Sequence, residues 1–195
     1  LVLPIIKAVE SLDDLPKRLD EVDPLEVQAD QQTVGTLRLG VSGEHLALVA
    51  DIRDGKVQHN ATPWKGSCLE VFGNMPDKTT IGQVFLAPQS GDISSAGYQA
   101  AGGKQVPSAD IRTASMATDG GYQIRALIPV SKLRITTDAE FRLEFQISSH
   151  DGKQRKYHTL FGSRQAYENS QRYGTFTLKT DDDGHKDDSP KADDK

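Results

Sequence analysis

The sequence has little cysteine, few aromatic residues and no long hydrophobic segment. Cys68 is the only cysteine among 195 residues, which excludes a disulfide bond within the chain. No apolar run approaches the roughly 20 residues that a transmembrane helix requires, so no membrane span is predicted. Basic residues are outnumbered, with 23 Lys and Arg against 28 Asp and Glu, and they form no stripe. We therefore predict no nucleic-acid partner.

The chain also lacks the short motifs of common enzyme classes. It contains neither a glycine-rich phosphate loop nor the Gly-x-Ser-x-Gly turn that carries a nucleophilic serine. Its five histidines do not show the His-x-x-x-His spacing of zinc sites. Its scattered carboxylates are equally typical of turns and strand ends. We therefore predict that this domain is not itself catalytic.

The two ends of the chain differ from its centre. Residues 1–24 are predicted to be an N-terminal extension, in which residues 2–9 favour an edge strand and Ser11 begins a helix that Pro16 keeps short. Residues 179–195 contain seven Asp and four Lys but no large apolar residue. Such a segment buries too little apolar surface to offset its ordering entropy, so we predict a disordered acidic tail.

Residues 25–178 carry the alternation of β-strands. Apolar residues recur at every second position on both sides of a turn at residues 42–44, which predicts a hairpin. Further strands are predicted in residues 68–72, 81–87, 122–128, 141–147 and 176–178. The sequence therefore predicts an all-β domain, an antiparallel β-sandwich or jelly roll. The alternation in residues 111–117 favours Met116 as a core residue.

Trp64, the only tryptophan, follows a long polar loop and precedes a strand with a carboxylate at Glu70. An exposed indole stacks on the apolar face of a sugar ring, and planar polar side chains bind its hydroxyls. His59, Asn60 and Gln83 are near in sequence and add such polar groups. These residues predict a carbohydrate site, although Trp64 could instead fill the core.

Four sequence motifs, which follow one another in the order that the family has, resemble carbohydrate-binding module family nine and its DOMON-like relatives. They are LALVADIRD (residues 46–54), WKGSCLEVF (64–72), GYQIRALIPVSKL (121–133) and RYGTFTL (172–178). The similarity spans residues 37–178. It implies a sandwich in which Trp64 is one stacking wall and Glu70 accepts hydrogen bonds from sugar hydroxyls.

Three features differ from the family pattern. Ser67 stands where the family usually has Asp, and Arg125 where it often has Glu. The second tryptophan of the family's sugar clamp is missing, and Tyr167, Phe161 or Tyr98 are the candidates to replace it.

The resemblance implies a non-catalytic carbohydrate-binding module of a secreted or cell-surface protein, attached to a catalytic domain such as a glycoside hydrolase. Two alternatives stay open: a haem-binding electron-transfer domain, using Met75 or Met116 with a histidine, and a structural or adhesive sandwich without a sugar site. Because the edges of β-sandwiches often hold calcium, Asp54, Asp138 and Asp151 are candidate ligands of a structural ion. No other cofactor is predicted.

Overall fold

Two β-sheets pack face to face, as the alternation of apolar and polar residues predicts. The structure is a computed structural model that describes residues 1–179. The predicted acidic tail lies outside the described residues from position 180 onward. The strands are β1 (Val2–Leu3), β2 (Leu25–Ala29), β3 (Gln32–Ser42), β4 (His45–Arg53), β5 (Cys68–Asn74), β6 (Gly82–Ala87), β7 (Ala96–Ala101), β8 (Lys104–Pro107), β9 (Arg112–Thr118), β10 (Gly121–Pro129), β11 (Phe141–His150), β12 (Arg155–Thr159) and β13 (Gly174–Leu178).

The larger sheet has eight strands and the smaller sheet has five. The larger sheet runs β1-β13-β11-β5-β6-β7-β8, and β12 pairs with the same edge of β11 as β13. The smaller sheet runs β2-β3-β4-β10-β9. Every pairing of these strands is antiparallel except that of β1 with β13. The all-β sandwich is thus confirmed, and so is the hairpin of β3 and β4, which turns at Gly43 with a φ of 57°.

The core lies between the sheets. Each central strand contributes every second residue to it, such as Leu69 and Val71 on β5, and Ile124 and Ala126 on β10. Fully buried aromatic rings fill the end near β13, where Phe141 and Phe176 stack. Each fully buried apolar side chain of this size contributes roughly 1.5–3 kcal/mol to folding.

The N-terminal segment covers the outer face of the smaller sheet. A 3-10 turn (Leu12–Asp14) begins at Ser11, whose hydroxyl accepts a hydrogen bond from the Asp13 amide, and leads into α1 (Leu15–Arg18). Pro16 occupies the first turn, where its missing N–H costs nothing. Leu15 and Leu19 are fully buried against Ala47, Val49 and Leu127. At four residues, the one α-helix of residues 1–179 is too short to cross a bilayer.

The prediction that Met116 is a core residue is wrong. Its side chain is 49% exposed, and its sulfur receives a hydrogen bond from Arg125 at 3.0 Å. Met116 lies on β9, the edge strand of the smaller sheet, and points to the outer side. Alternation predicts that two faces differ, but it does not tell which face of an edge strand is buried.

Candidate functional site

Trp64 lies in a loop in which two segments of backbone approach each other so closely that position 66 must be a glycine. The indole belongs to a short 3-10 turn (Pro63–Lys65) between β4 and β5. A Cβ on Gly66 would stand 2.7 Å from the Gln58 carbonyl oxygen and 2.9 Å from the Asn60 amide nitrogen. Only a glycine permits this approach, and it folds the polar loop back beside Trp64.

The buried carboxylate of Asp54 holds the base of this loop. Its oxygens accept hydrogen bonds from the backbone amides of Lys56 and His150, both at 3.0 Å, and from the Ser67 hydroxyl at 2.7 Å. Arg155 places a guanidinium nitrogen 3.8 Å from the same carboxylate. Asp54 thereby ties β4, the Trp64 loop and the end of β11 together.

Ser67 explains one departure from the family pattern. Its hydroxyl donates to Asp54 and accepts from the Gln58 amide at 2.8 Å. Beside it, the Ser148 hydroxyl donates to the Gly66 carbonyl at 2.7 Å. An aspartate at position 67 would bring a second carboxylate against Asp54, whereas serine supplies a donor.

Glu70 lies on the outer face of the larger sheet. Its neighbours Leu69 and Val71 point into the core, so its own side chain points the other way. It is only 3% exposed, and its two oxygens accept hydrogen bonds from the amides of Gln83 at 2.8 Å and Gln146 at 2.7 Å. Burial raises the pKa of the Glu70 carboxyl, and the two amide donors partly oppose that shift.

A second loop, residues 160–173, closes the other end of this face. The Glu144 carboxylate anchors it by accepting hydrogen bonds from the Phe161 amide at 3.0 Å and the Ser163 amide at 3.1 Å. Ala166 and Tyr173 pack on Phe72, and the Tyr173 hydroxyl donates to the Ala166 carbonyl. The Trp64 loop is anchored near Cys68, so the two loops flank Glu70 from opposite ends of β5.

Between these loops lies a cavity of about 510 Å³. Three aromatic side chains border it and remain accessible: Trp64 is 36% exposed, Tyr157 47% and Tyr167 54%. The rings of Trp64 and Tyr157 are 6.5 Å apart and inclined at 53°. The lining residues are Trp64, Glu70, Gln83, Phe85, Ala100, Gly103, Gln105, Gln146, Tyr157 and Tyr167.

Four of the predicted site residues therefore meet in one cavity: Trp64, Glu70, Gln83 and Tyr167. Trp64 does not fill the core. The structure does not bring His59 and Asn60 to the cavity wall. Asn60 instead accepts a hydrogen bond from the Thr62 amide at 2.9 Å and so shapes the loop.

The other two candidates for a second aromatic wall lie elsewhere. Tyr98 pairs with Phe85 on the same outer face, but it is half-buried and does not line the cavity. Phe161 packs edge-on against Phe176 at 6.0 Å. Arg125, another departure from the family pattern, lies on the smaller sheet and pairs with Asp13 at 2.6 Å.

The sequence reasoning missed six lining residues, three of which carry polar side-chain groups: Gln105, Gln146 and Tyr157. Gln146 occupies a polar position in the alternation of β11, directly opposite Glu70, and that pattern was the available signal. Tyr157 and Gln105 belong to β12 and β8, short strands in polar stretches that no periodicity marked.

The three calcium candidates are divided between two cavities. Asp54, which carries the bonds described above, and Asp151 line one of them. Asp151 accepts from the amides of Lys153 and Gln154 and pairs with Lys156 at 3.0 Å. Asp138 lines the other, together with Ile135 and Thr136. Residues 1–179 contain no group of three or more His, Cys, Asp or Glu arranged to hold a metal ion, and calcium stays a prediction.

The structure does not favour the haem alternative. The Met75 sulfur accepts a hydrogen bond from the Thr136 amide at 3.4 Å, and its side chain packs partly buried against the core. Met116 borders a small cavity of about 230 Å³ that no histidine of residues 1–179 lines.

Comparison with known proteins relates this architecture to carbohydrate-binding domains. A family model described as "Carbohydrate family 9 binding domain-like" matches residues 20–181. A family 9 carbohydrate-binding module from Caldicellulosiruptor kristjanssonii, solved with cellotriose, superposes with a TM-score of 0.60 at 19% identity over 95% of this chain and 98% of its own. A module from the same organism, solved with glucose, gives 0.59 and 19%, covering 93% and 99%. No curated protein matches the sequence.

Proposed function

The chain belongs to the carbohydrate family 9 binding domain-like family, and on that basis we propose that it is a non-catalytic module that binds a carbohydrate in the cavity of its larger sheet. One observation carries the proposal. Exposed aromatic rings border a buried carboxylate whose two oxygens are oriented by two glutamine amides. This is the combination of apolar faces and fixed polar groups that a sugar ring requires.

The aromatic rings supply the stacking surface. Trp64 presents its indole at one end of the cavity, and Tyr157 stands beside it. Such rings bury the C–H face of a pyranose, and their rigidity keeps the entropic cost of binding low. Tyr167, from the opposite loop, takes the place of the missing second tryptophan of the family's clamp.

The polar groups supply recognition of the hydroxyls. Glu70 has lone pairs beyond the two that its glutamine partners use, so it accepts hydrogen bonds from sugar hydroxyls. Gln83 and Gln146 each donate their amide to Glu70, which leaves their carbonyl oxygens as further acceptors. A hydrogen bond to a charged group contributes about 1.5–3 kcal/mol when water is excluded.

Two solved relatives support a proposal for the ligand class. Those solved structures contain cellotriose and glucose, so we propose a glucose-containing oligosaccharide as the ligand. A module of this kind acts where polysaccharide is found. We therefore propose an extracellular or cell-surface location and attachment to a domain that processes the same glycan.

Calorimetric titration with cellotriose and with glucose tests the proposal. We expect saturable binding by the chain and a loss of at least about tenfold in affinity in Trp64→Ala, because truncation of an aromatic residue that anchors a ligand costs about 2 kcal/mol or more. Met116→Ala is the matched control, since it removes an exposed apolar side chain from the other sheet.

Two outcomes would overturn this assignment. Equal affinity in Trp64→Ala and the unmodified chain would show that the binding site lies elsewhere. No binding of cellotriose or glucose, together with no retention on a glycan array, would support the structural or adhesive alternative.

The calcium prediction has a separate test. If Asp54, Asp138 or Asp151 binds a structural ion, Tm rises when calcium is added to chelator-treated protein, since a ligand that binds only the folded state stabilises it. An unchanged Tm at millimolar calcium would contradict the prediction.

A further inference from the structure

The loop that carries Tyr167 also forms a second cavity, which the sugar site does not use. This cavity has a volume of about 470 Å³ and is lined by Arg164, Asn169, Gln171 and Arg172. Two guanidinium groups and two amides form its wall, and no carboxylate of residues 1–179 lines it. The chain as a whole carries a net charge of -5, so a cationic cavity runs against the general charge of the molecule.

The backbone of this loop is held in place by its own hydrogen bonds. The amides of Glu168 and Asn169 donate to the Gln165 carbonyl at 2.9 and 3.1 Å. The Asn169 side chain accepts from the Gln171 amide at 2.9 Å. From the sheet below, the Asn74 amide donates to the Ser170 hydroxyl at 2.9 Å. The arginines are therefore presented from a supported turn.

Within residues 1–179, no carboxylate pairs with either of these guanidinium groups. Arg125 and Arg155 each approach an aspartate within 4.0 Å, whereas Arg164 and Arg172 make neither a salt bridge nor a hydrogen bond with any residue of the described part of the chain. Glu168 is the one carboxylate in the loop, and it is exposed and does not line the cavity. A planar guanidinium fits a carboxylate or sulfate with two parallel hydrogen bonds.

The position of the cavity links it to the sugar site. Tyr167, which lines the aromatic cavity, follows Arg164 by three residues and precedes Arg172 by five. Three residues span at most about 11 Å of extended chain, which is within reach of a disaccharide. A glycan with one ring against Tyr167 would bring a charged group on the next ring to the arginines.

We infer that the Arg164–Arg172 cavity binds the oxyanion of an acidic sugar in the same glycan whose neutral ring occupies the aromatic cavity. The ligand class would then be a uronic-acid-containing or sulfated oligosaccharide. This inference rests on the proposed sugar site, and it adds selectivity for charge.

A matched pair of disaccharides tests it. Cellobiouronic acid differs from cellobiose by a carboxylate in place of one hydroxymethyl group. In calorimetric titrations at low salt we expect the chain to bind the acidic disaccharide about three- to tenfold more tightly, since exposed ion pairs are worth up to about 1 kcal/mol each. The preference should shrink at high salt, which screens exposed charges.

Arginine variants assign the effect to the cavity. Arg164→Gln with Arg172→Gln should abolish the preference and leave the affinity for cellobiose unchanged. Arg18→Gln is the control for charge, because it removes an exposed arginine from α1, on the opposite outer face. Thermal unfolding of each variant verifies that the fold is retained.

Each outcome separates the two proposals. Cellobiose that binds with no preference for the acid overturns the inference alone. A preference that survives in the double variant, or that Arg18→Gln removes equally, also overturns it. If neither disaccharide binds, both proposals fail. Inorganic sulfate that binds as tightly as the acidic disaccharide would identify a site for free anions and overturn the assignment to a sugar. Sulfated cellobiose that binds as well as the uronic acid supports the inference and widens the ligand class.

Discussion

The two outer faces of this sandwich differ: one is covered by the N-terminal segment and the other borders an open cavity. On the smaller sheet the outward residues Ala47, Val49 and Leu127 are apolar, and Leu15 and Leu19 of the N-terminal segment bury them. On the larger sheet the outward residues near the centre of β5 are polar, and two loops leave them open to a cavity.

The difference shows how one architecture yields a closed face and a binding face. An apolar outer face gains free energy from any segment that covers it, so the N-terminal helix docks there. A buried carboxylate needs donors and cannot be sealed by aliphatic side chains without a large cost. Glu70 therefore keeps two glutamine donors beside it, and Trp64, Tyr157 and Tyr167 remain exposed at the border of the cavity.

The largest effect should come from weakening the contact between the N-terminal segment and the smaller sheet. Leu15→Ala removes a fully buried side chain, and we expect a loss of about 2–5 kcal/mol in the free energy of unfolding. Urea denaturation measures it. Affinity for cellotriose should be unchanged where the variant is folded, because the segment lies on the other face. A loss below about 1 kcal/mol would mean that the N-terminal segment is only loosely docked.

The next effect concerns the charge of the open face. Glu70→Gln keeps the shape but replaces a charged acceptor, so we expect a roughly ten- to hundredfold loss of affinity for cellotriose. Because burial raises the carboxyl pKa above its ordinary value of 4.5, affinity of the unmodified chain should fall as the pH is lowered through that raised pKa. Titration calorimetry across this window should show a pH-dependent affinity in the unmodified chain and a flat profile in the variant.

Glu70→Gln should lose affinity for cellotriose without losing stability. A raised pKa in the folded state means that Glu70 favours the fold fully below its unfolded pKa, and that this contribution is lost as the pH rises through the folded value. At neutral pH the variant should therefore be at least as stable as the unmodified chain. A large loss of stability would assign Glu70 a structural role instead.

A smaller effect should follow from loosening the loop that opens the face. Ser67→Ala removes the hydroxyl that donates to buried Asp54, and an unsatisfied buried acceptor costs about 1–3 kcal/mol. We expect a lower Tm and weaker binding of cellotriose, since the loop positions Trp64. Ser94→Ala, at an exposed position, is the control. Equal Tm values in the two variants would contradict the role of Ser67.

The smallest effect concerns the rim of the open face. Tyr157→Ala removes one of two adjacent rings, and an aromatic contact of this kind is worth about 0.5–1.5 kcal/mol, so affinity should drop severalfold. Tyr98→Ala, on the same face but outside the cavity, should bind as the unmodified chain does. If Tyr98→Ala shows the larger loss, the binding surface extends along β7 rather than toward β12.

Strands with regular alternation were predictable, and short strands in polar stretches were not. β10 and β11 show clean alternation and were identified from it. β8 and β12 pair in hairpins with the strands that precede them, β7 and β11, but they are short and lie in polar stretches, so no alternation marked them. Two site residues, Tyr157 and Gln105, were hidden for the same reason.

The same distinction applies to individual side chains. His59 and Asn60 are close to Trp64 in sequence, yet the crossing over Gly66 leaves them outside the cavity. Tyr167 is about a hundred residues from Trp64 and lines the same cavity, because the Glu144 anchor brings its loop across the sheet. Proximity along the chain was a poor guide wherever a loop reversed direction.

By itself, the sequence determined the β-sandwich, because strand periodicity is a local property of the backbone. It also determined that the N-terminal helix is short. Only the tertiary structure decided which aromatic residues border the cavity, that Glu70 points outward between two glutamines, and that two arginines of one loop lack an acidic partner among residues 1–179. Those arrangements depend on strand order and loop anchoring, which contacts between residues far apart in the chain establish.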